Sequence, residues 1–309
     1  MTIIVTGASG AFGRAAAMQL IERVGGERVV LTTRTPAKLA DLAALGAQVR
    51  PADFDDPGSL ADAFAGGERM LLISTARVGT RVGQHANAIA AAARAGVRHI
   101  TYTSLLNADK QGNPAIVKLD HRATEELLER SGVAWTFLRD SQYAEAIALA
   151  VVPPALLNGR LPDNAHDGRV AFVSRDDCVA SAVAVVGARG HENVAYQLTG
   201  PELSSFPDAI RMAAQISGRR INYVPVSDDE MFAYFDSLGV PRHASDEPTS
   251  APIPWSSDDM VTFGRSIREG YFDVCSDHVE KLTGRKPRSL RSVMLQYRDT
   301  WPLAKGDAA

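Results

Sequence analysis

The sequence predicts an α/β fold: a doubly wound parallel sheet with a smaller C-terminal α/β substrate-binding region. Three observations lead to this prediction. Short apolar strands alternate with helices through the first half of the chain, their connections are short, and the first strand ends in a glycine-rich turn. Such alternation places parallel strands side by side and helices on both faces of the sheet, as in the Rossmann fold.

A strand, a tight turn and a helix start occupy the first residues of the chain. The apolar run 3–6 leads into glycines spaced G-x-x-G-x-x-G. An ordinary strand–helix loop can also be rich in glycine, but a position directly after the first strand favours a dinucleotide site, with the pyrophosphate on the helix N-terminus. The turn residues predicted to contact the cofactor are Gly7, Ser9, Gly10, Ala11, Phe12 and Gly13.

The repeating strand–helix pattern defines a cofactor domain over residues 1–152. The remainder, 153–309, is mainly a substrate-binding region, from which about 169–200 return to the Rossmann core. The predicted strands are 3–6, 28–32, 47–50, 69–74, 99–104, 134–139, 169–173, 195–199 and 221–226. The predicted helices are 14–24, 36–45, 59–64, 81–95, 117–131, 176–186, 206–217 and 228–238.

Prolines mark two irregular segments of the second half. Pro153 and Pro154 are expected to interrupt the helix that follows Tyr143. The proline-rich stretch 242–255 has little periodicity and is predicted to be a mobile loop that covers a substrate.

Composition excludes several classes of function. A formal charge of −3 over 309 residues gives no basic surface for nucleic acid. No apolar run reaches the roughly 20 residues of a membrane span, and Met1 leads directly into a strand, so a cytoplasmic protein is expected. The two cysteines and seven histidines show no metal-ligand spacing, and no metal is predicted. A homodimer is possible, but no residue pattern identifies its interface.

The end of the second strand selects between NAD and NADP. An acidic residue there would bind the adenosine ribose, but the sequence reads Thr32-Thr33-Arg34 and continues to Lys38. Arg34 and Lys38 therefore predict binding of the 2′-phosphate and a preference for NADPH, unless both are merely solvated surface charges. Further cofactor contacts are expected at the ends of strands three to five, from Asp53, Phe54, Ile73, Ser74 and Tyr102.

A catalytic pair common in short-chain dehydrogenases is missing. These enzymes carry Tyr-x-x-x-Lys after strand five, where the tyrosine protonates a developing alkoxide. None of the seven tyrosines has a lysine four residues later. This absence argues against reduction of a simple ketone, and also against the isomerases and epimerases that usually keep the pair.

Motifs along most of the chain resemble the atypical short-chain, NmrA-like family, and most closely its quinone-reductase and triphenylmethane-reductase members. These motifs lie at 71–74, 84–87, 102–109, 121–125, 135–139, 191–193, 196–198 and 282–285. The resemblance implies an NADPH-dependent reductase of quinones or similar electron-poor aromatics, with direct hydride transfer and no flavin. It also implies a second possibility, a redox sensor that binds NADP(H) and regulates a partner without turnover.

By position, the resemblance places Val117 and His121 where the tyrosine and lysine would stand. Relatives read Leu-Arg-Asn after strand six, whereas this chain has Asp140 in place of the asparagine. An amide both donates and accepts hydrogen bonds, but an ionised aspartate only accepts, so the contact of Asp140 with nicotinamide is in doubt.

Quinone chemistry suits a site without a strong acid. Hydride addition to a quinone produces a phenolate-like oxygen, whose conjugate acid has a pKa of about 10. His121 or water is expected to supply the remaining proton, although His121 has an equally reasonable structural interpretation. Thr103 and Ser104 are expected to bind the substrate oxygen, and Gln142 and Tyr143 the aromatic ring.

Overall fold

The computed structural model describes residues 1–244 and 255–302. Its strands are β1 (Ile3–Val5), β2 (Val29–Thr33), β3 (Gln48–Pro51), β4 (Arg69–Leu72), β5 (His99–Leu105), β6 (Ala134–Asp140), β7 (Arg160–Asp163), β8 (Arg169–Val170), β9 (Val194–Leu198), β10 (Ser204–Ser205) and β11 (Asn222–Pro225). Its α-helices are α1 (Ala11–Val24), α2 (Ala40–Ala44), α3 (Leu60–Phe64), α4 (Arg81–Arg94), α5 (Val117–Arg130), α6 (Ala144–Ala146), α7 (Val152–Asn158), α8 (Arg175–Val186), α9 (Phe206–Ser217), α10 (Asp228–Ser237), α11 (Ser257–Arg268), α12 (His278–Thr283) and α13 (Leu290–Tyr297).

Within these residues, seven strands pair into one parallel sheet in the order β3-β2-β1-β4-β5-β6-β9. β1 lies between β2 and β4, with Ile4 opposite Val30 and Met70. The strand order therefore reverses between β1 and β4, and such a reversal opens a ligand crevice at the carboxyl ends of the strands. The predicted doubly wound parallel sheet is confirmed.

Helices cover both faces of the sheet because successive side chains of each strand point to opposite faces. The first face, against α1 and α8, buries Leu31, Leu71 and Leu138. The second face, against α3, α4 and α5, buries Met70 and Phe137. The same alternation divides the polar residues of β5 and β6 between the two faces.

A smaller region follows β6. β7 pairs in parallel with β11, and β8 pairs in antiparallel fashion with β10. Its apolar core packs Phe172, Phe206 and Trp301 with Leu105 and Leu106 at the end of β5. This contact places the region beside the carboxyl ends of the main strands. Two later elements belong to the main sheet instead, since β9 pairs with β6 and α8 packs on α1.

The helix after β6 departs from the prediction. Its backbone stays helical through residues 151–154, passing from α6 through a π-helical turn (Ile147–Val151) into α7. Pro153 and Pro154 fall in the first turn of α7, directly after the π-helical turn, a position at which proline is tolerated. The prolines therefore begin a helix and do not end one.

Two other predictions, one of a strand and one of a loop, can be compared with the structure only in part. The strand expected at 169–173 is reduced to the two residues of β8. Of the loop predicted at 242–255, residues 245–254 lie outside the described residues. None of the helices in the described ranges is long and apolar enough to cross a membrane.

Candidate active site

The loop between β1 and α1 makes the tight turn that its glycines predict. Gly7 has a φ of +58°, and its carbonyl accepts the N–H of Gly10 at 3.0 Å. A Cβ on Gly13 would lie 2.5 Å from that carbonyl oxygen, which no larger residue can accommodate without moving backbone. A Cβ on Gly10 would lie 3.3 Å from it. The close contact between the start of α1 and the turn therefore requires a glycine at position 13. At position 10, the absence of a side chain mainly leaves the space beside the turn open.

The N-terminus of α1 is open to an anion. Gly10 caps the helix without a side-chain hydrogen bond, and the first turn contains no acidic residue. The N–H groups of a first turn and the helix dipole together attract phosphate. Ala11 is exposed and Phe12 is half-buried beside this terminus. These features fit the pyrophosphate of a dinucleotide.

The end of β2 lies next to the glycine turn. The hydroxyl groups of Ser9 and Thr33 are 2.9 Å apart and join the two segments. The next residues, Arg34 and Lys38, are exposed. Over the described ranges, neither of their charged groups forms an ion pair or hydrogen bond with the protein. Both cations are therefore available to a phosphate group beside the turn.

Two further pairs of predicted cofactor residues follow β3 and β4. Asp53 and Phe54 are half-buried after β3, and the Phe54 carbonyl accepts a hydrogen bond from Asn87 at 2.9 Å. After β4, the Ile73 N–H donates to the Thr6 hydroxyl at 3.0 Å. The second contact joins the ends of β1 and β4, which border the crevice.

The last residue of β6 and the two residues after it carry three buried polar atoms that form no hydrogen bond by distance and angle among the described residues. They are Oδ1 of Asp140, Oγ of Ser141 and Oε1 of Gln142. Buried polar atoms are nearly always hydrogen-bonded, so a cluster of unpaired ones at the carboxyl end of a strand is typical of a ligand site. These atoms fit the polar nicotinamide end of a dinucleotide.

Asp140 also holds the side chain of Tyr143. The Tyr143 hydroxyl donates to Oδ2 of Asp140 at 2.6 Å. Burial raises the pKa of Asp140 to about 7, against a smaller opposite effect of that hydrogen bond. Near neutral pH the carboxyl group is therefore partly protonated. In its protonated form it both donates and accepts, as the asparagine of relatives does.

The hydroxyl groups of Thr103 and Ser104 are engaged within the protein. Thr103 accepts the Ser74 N–H at 2.9 Å, and Ser104 donates to the fully buried Glu125 at 2.8 Å. Arg139 holds Glu125 through two hydrogen bonds of 2.9 and 2.8 Å. The structure therefore gives both residues positioning contacts, and both are at least nine-tenths buried.

His121 lies on α5 between two fixed partners. The Arg81 guanidinium is 3.2 Å from Nε2, and the Tyr102 hydroxyl is 2.9 Å from Nδ1. Arginine only donates, so Nε2 must be unprotonated. Burial, followed by the charge of Arg81, lowers the pKa of His121 well below its usual value. The expected role of His121 as a proton donor therefore finds no support in this geometry.

Tyr102 and His121 lie on the second face of the sheet, whereas Asp140 and Tyr143 lie on the first. Tyr102 is fully buried, and burial raises its pKa above the usual value. Its hydroxyl group positions the His121 ring, and its side chain is closed to solvent. Phe12, Ile73 and Tyr143 instead share the edge of the first-face cluster.

Arg81 and His85 are site residues that the sequence analysis did not identify. His85 Nε2 accepts the Thr75 N–H at 3.2 Å, and Nδ1 lies 2.8 Å from the Thr124 hydroxyl, which donates to the Asp120 carbonyl. Burial lowers the pKa of His85 to about 3, so the ring is neutral. Their partners His121 and Thr124 lie on a different helix, α5, so sequence spacing alone does not show these contacts.

Comparison with known proteins agrees with this geometry. An NAD(P)H-binding family matches residues 7–184. Quinone oxidoreductase 2 of Escherichia coli (strain K12) is 38% identical over 269 residues, which are 86% of this chain and 93% of that protein. The crystal structure of the Escherichia coli NADPH-dependent quinone oxidoreductase complexed with NADPH superposes with a TM-score of 0.87 and 33% identity, covering 96% of this chain and 99% of that one.

A second solved structure has the same fold over its whole length. Triphenylmethane reductase of Citrobacter sp., complexed with NADP(H), gives a TM-score of 0.83 at 28% identity, covering 96% of this chain and 100% of that one. The resemblance to NmrA-like reductases that the motifs indicate is thereby confirmed. This chain belongs to the NAD(P)H-binding family and is an NAD(P)H-dependent oxidoreductase.

Proposed function

We propose that the protein transfers hydride directly from NADPH to a quinone or a similar electron-poor aromatic acceptor, without a flavin. The observation that carries the proposal is the neutral His121, at the position where other short-chain enzymes place a cationic lysine. Its Nε2 is held by Arg81 at 3.2 Å, so the second face of the sheet offers no imidazolium as an acid. An acceptor that needs no strong acid suits such a site.

Each part of the crevice has a proposed role in holding NADPH. The turn at Gly7, Gly10 and Gly13 would bind the pyrophosphate, and Arg34 and Lys38 the 2′-phosphate. Asp53 and Phe54 would contact the adenine, and Ile73, Ser74 and Asp140 the nicotinamide end. When bound, the cofactor would supply two electrons and a proton as hydride.

The absence of the tyrosine–lysine pair separates quinones from ketones. Reduction of a ketone produces an alkoxide, which must be protonated by an acid placed beside it. Reduction of a quinone produces a phenolate, which is weakly basic because its conjugate acid has a pKa of about 10. The proton can then come from water. Tyr143 and Gln142 are the proposed contacts of the aromatic ring, through stacking and a hydrogen bond.

The alternative is an NADP(H)-binding redox sensor without turnover, for which the engaged Ser104 and the neutral His121 are equally suitable. The test is NADPH oxidation by purified protein with 1,4-benzoquinone, against a control without protein. Saturable turnover supports the reductase. Tight NADPH binding without turnover, over a range of quinones and electron-poor dyes, would contradict it and favour the sensor. The predicted homodimer stays a separate prediction.

A further inference from the structure

The carboxyl group of Asp140 lies in surroundings that hold no opposite charge. Its Oδ2 accepts the Tyr143 hydroxyl at 2.6 Å, whereas the only group that approaches as a further donor among the described residues is the weakly donating thiol of Cys178. The fully buried Cys178 lies beside it, and burial together with the charge of Asp140 raises the pKa of the thiol. A buried carboxylate without a cation is unfavourable, so the group either keeps a proton or awaits a positive charge.

The neighbouring helices do not supply that positive charge. Glu145 and Asp177, on α6 and α8, contribute further negative charge near the thiol. Arg175, at the start of α8, lies 5.8 Å from the centre of the Tyr143 ring and forms no ion pair with Asp140 in the described structure. The groups that interact with the carboxyl are thus Tyr143 and Cys178. Arg175 acts on Tyr143, and Glu145 and Asp177 act on Cys178.

The position of the carboxyl suggests which cation it meets. Asp140 ends β6, beside the unpaired atoms of Ser141 and Gln142, on the face of the sheet that also holds Phe12 and Ile73. Under the proposed function this is the nicotinamide end of the crevice. The oxidised nicotinamide ring carries a positive charge, whereas the reduced ring is neutral.

We propose, on the basis of the proposed NADPH-dependent reaction, that Asp140 makes cofactor binding sensitive both to pH and to the redox state of nicotinamide. The ionised carboxylate pairs with the oxidised ring, and the protonated carboxyl accompanies the reduced ring. Binding of NADP⁺ breaks the O–H bond of the carboxyl and releases its proton to solvent. Binding of NADPH retains that proton.

The direction of the pH effect follows from the state of the free protein. Burial raises the pKa of Asp140 to about 7, so about half of the free protein carries the proton near neutral pH. Raising the pH from about 6 to about 8 therefore strengthens NADP⁺ binding and weakens NADPH binding. The ratio of their Kd values should change by at least about tenfold.

The test is titration calorimetry of NADP⁺ and of NADPH in two buffers with different ionisation enthalpies, which counts the protons released. Comparing the two cofactors cancels the titration of their shared 2′-phosphate. At about pH 7, NADP⁺ binding should release about half a proton and NADPH binding should take up about half a proton, a difference of about one proton. Asp140→Asn should abolish this difference and make the Kd ratio independent of pH. A ratio independent of pH in the unaltered protein, or proton release that survives in folded Asp140→Asn, would overturn the inference.

A milder pair of variants covers the case in which Asp140→Asn does not fold. Tyr143→Phe removes a hydrogen bond that favours the ionised carboxyl, so the midpoint of the pH dependence should move to higher pH. Tyr223→Phe is the matched control, because Tyr223 donates to the carboxyl of Asp163 at 3.0 Å in the C-terminal region. An equal effect of the two variants would contradict the inference.

The outcomes also separate this inference from the proposed function. Linked proton release without quinone turnover would support the inference and refute the reductase. Quinone turnover without linked proton release would support the reductase and refute the inference. Absence of binding by either cofactor would refute both.

Discussion

The guanidinium group of Arg81, the first residue of α4, lies 3.2 Å from Nε2 of His121 in α5. This contact fixes the imidazole in its neutral form, because an arginine N–H can only donate. His85, one turn after Arg81 on α4, is also neutral. Two buried neutral histidines thus lie beside the candidate site, and their protonation is coupled to folding.

Acid should therefore destabilise the protein below about pH 6.5. The folded chain keeps His85 neutral down to a pKa of about 3, whereas the unfolded chain binds a proton at about 6.5. Between these values the unfolded state holds the extra proton, so the free energy of unfolding falls as the pH falls. One such histidine contributes a slope of up to about 1.4 kcal/mol per pH unit.

Urea unfolding between about pH 7 and pH 4.5 measures this slope. His85→Gln should reduce the slope by the contribution of one proton. Identical slopes for the His85 variant and the unaltered protein would show that His85 is not a neutral buried base.

Arg34→Ala should weaken NADPH binding and leave NADH binding unchanged. A hydrogen bond to a charged group contributes about 1.5–3 kcal/mol, equivalent to about a tenfold to hundredfold increase in the Kd of NADPH. Fluorescence titration measures both constants. The control is Arg28→Ala. Arg28 is also exposed, but it lies just before the first residue of β2, at the other end of the strand from Arg34. Equal losses for both cofactors would contradict a 2′-phosphate contact.

Gly10→Ala and Gly13→Ala should separate binding from folding. The Gly10 variant adds a methyl group 3.3 Å from the Gly7 carbonyl, so its melting temperature should stay close to that of the unaltered protein while NADPH affinity falls at least about tenfold. The Gly13 variant would place its methyl group 2.5 Å from the same carbonyl oxygen, so the free energy of unfolding should fall by at least about 2 kcal/mol. Calorimetric melting and fluorescence titration measure the two effects. Unchanged NADPH affinity in Gly10→Ala would argue against the pyrophosphate site.

Ser104→Ala should affect stability more than turnover. Its hydroxyl donates to Glu125 at 2.8 Å, so its loss should cost about 1 kcal/mol of folding free energy and leave kcat within about twofold. Glu125→Ala should cost about 3–5 kcal/mol, because it leaves the charge of the largely buried Arg139 poorly compensated. A tenfold loss of kcat in stable Ser104→Ala would instead assign the hydroxyl to the substrate.

The sequence predicts those parts of the site that depend on local chain geometry. The glycine turn requires three residue types at fixed spacing, and the ends of parallel strands meet at one edge of the sheet wherever the strands alternate with helices. Gly13 and Arg34 could be placed on these grounds alone, whereas Asp140 is placed by the family resemblance.

The side-chain pairs could not be predicted in the same way. Arg81 and His121 are 40 residues apart, and Ser104 and Glu125 are 21 apart. Each pair forms because two elements pack face to face, which no local spacing encodes. The pKa of Asp140 depends in the same way on burial near Cys178 of α8, so the sequence alone indicated only an ionised aspartate.

The most direct test of the central claim is the stoichiometry of quinol formation to NADPH oxidation by purified protein, without oxygen or added flavin. Direct hydride transfer predicts one quinol for each NADPH, saturation with both substrates, and a kcat/KM at least about tenfold lower with NADH than with NADPH. Turnover that requires added flavin, or equal kcat/KM values for the two cofactors, would contradict the account.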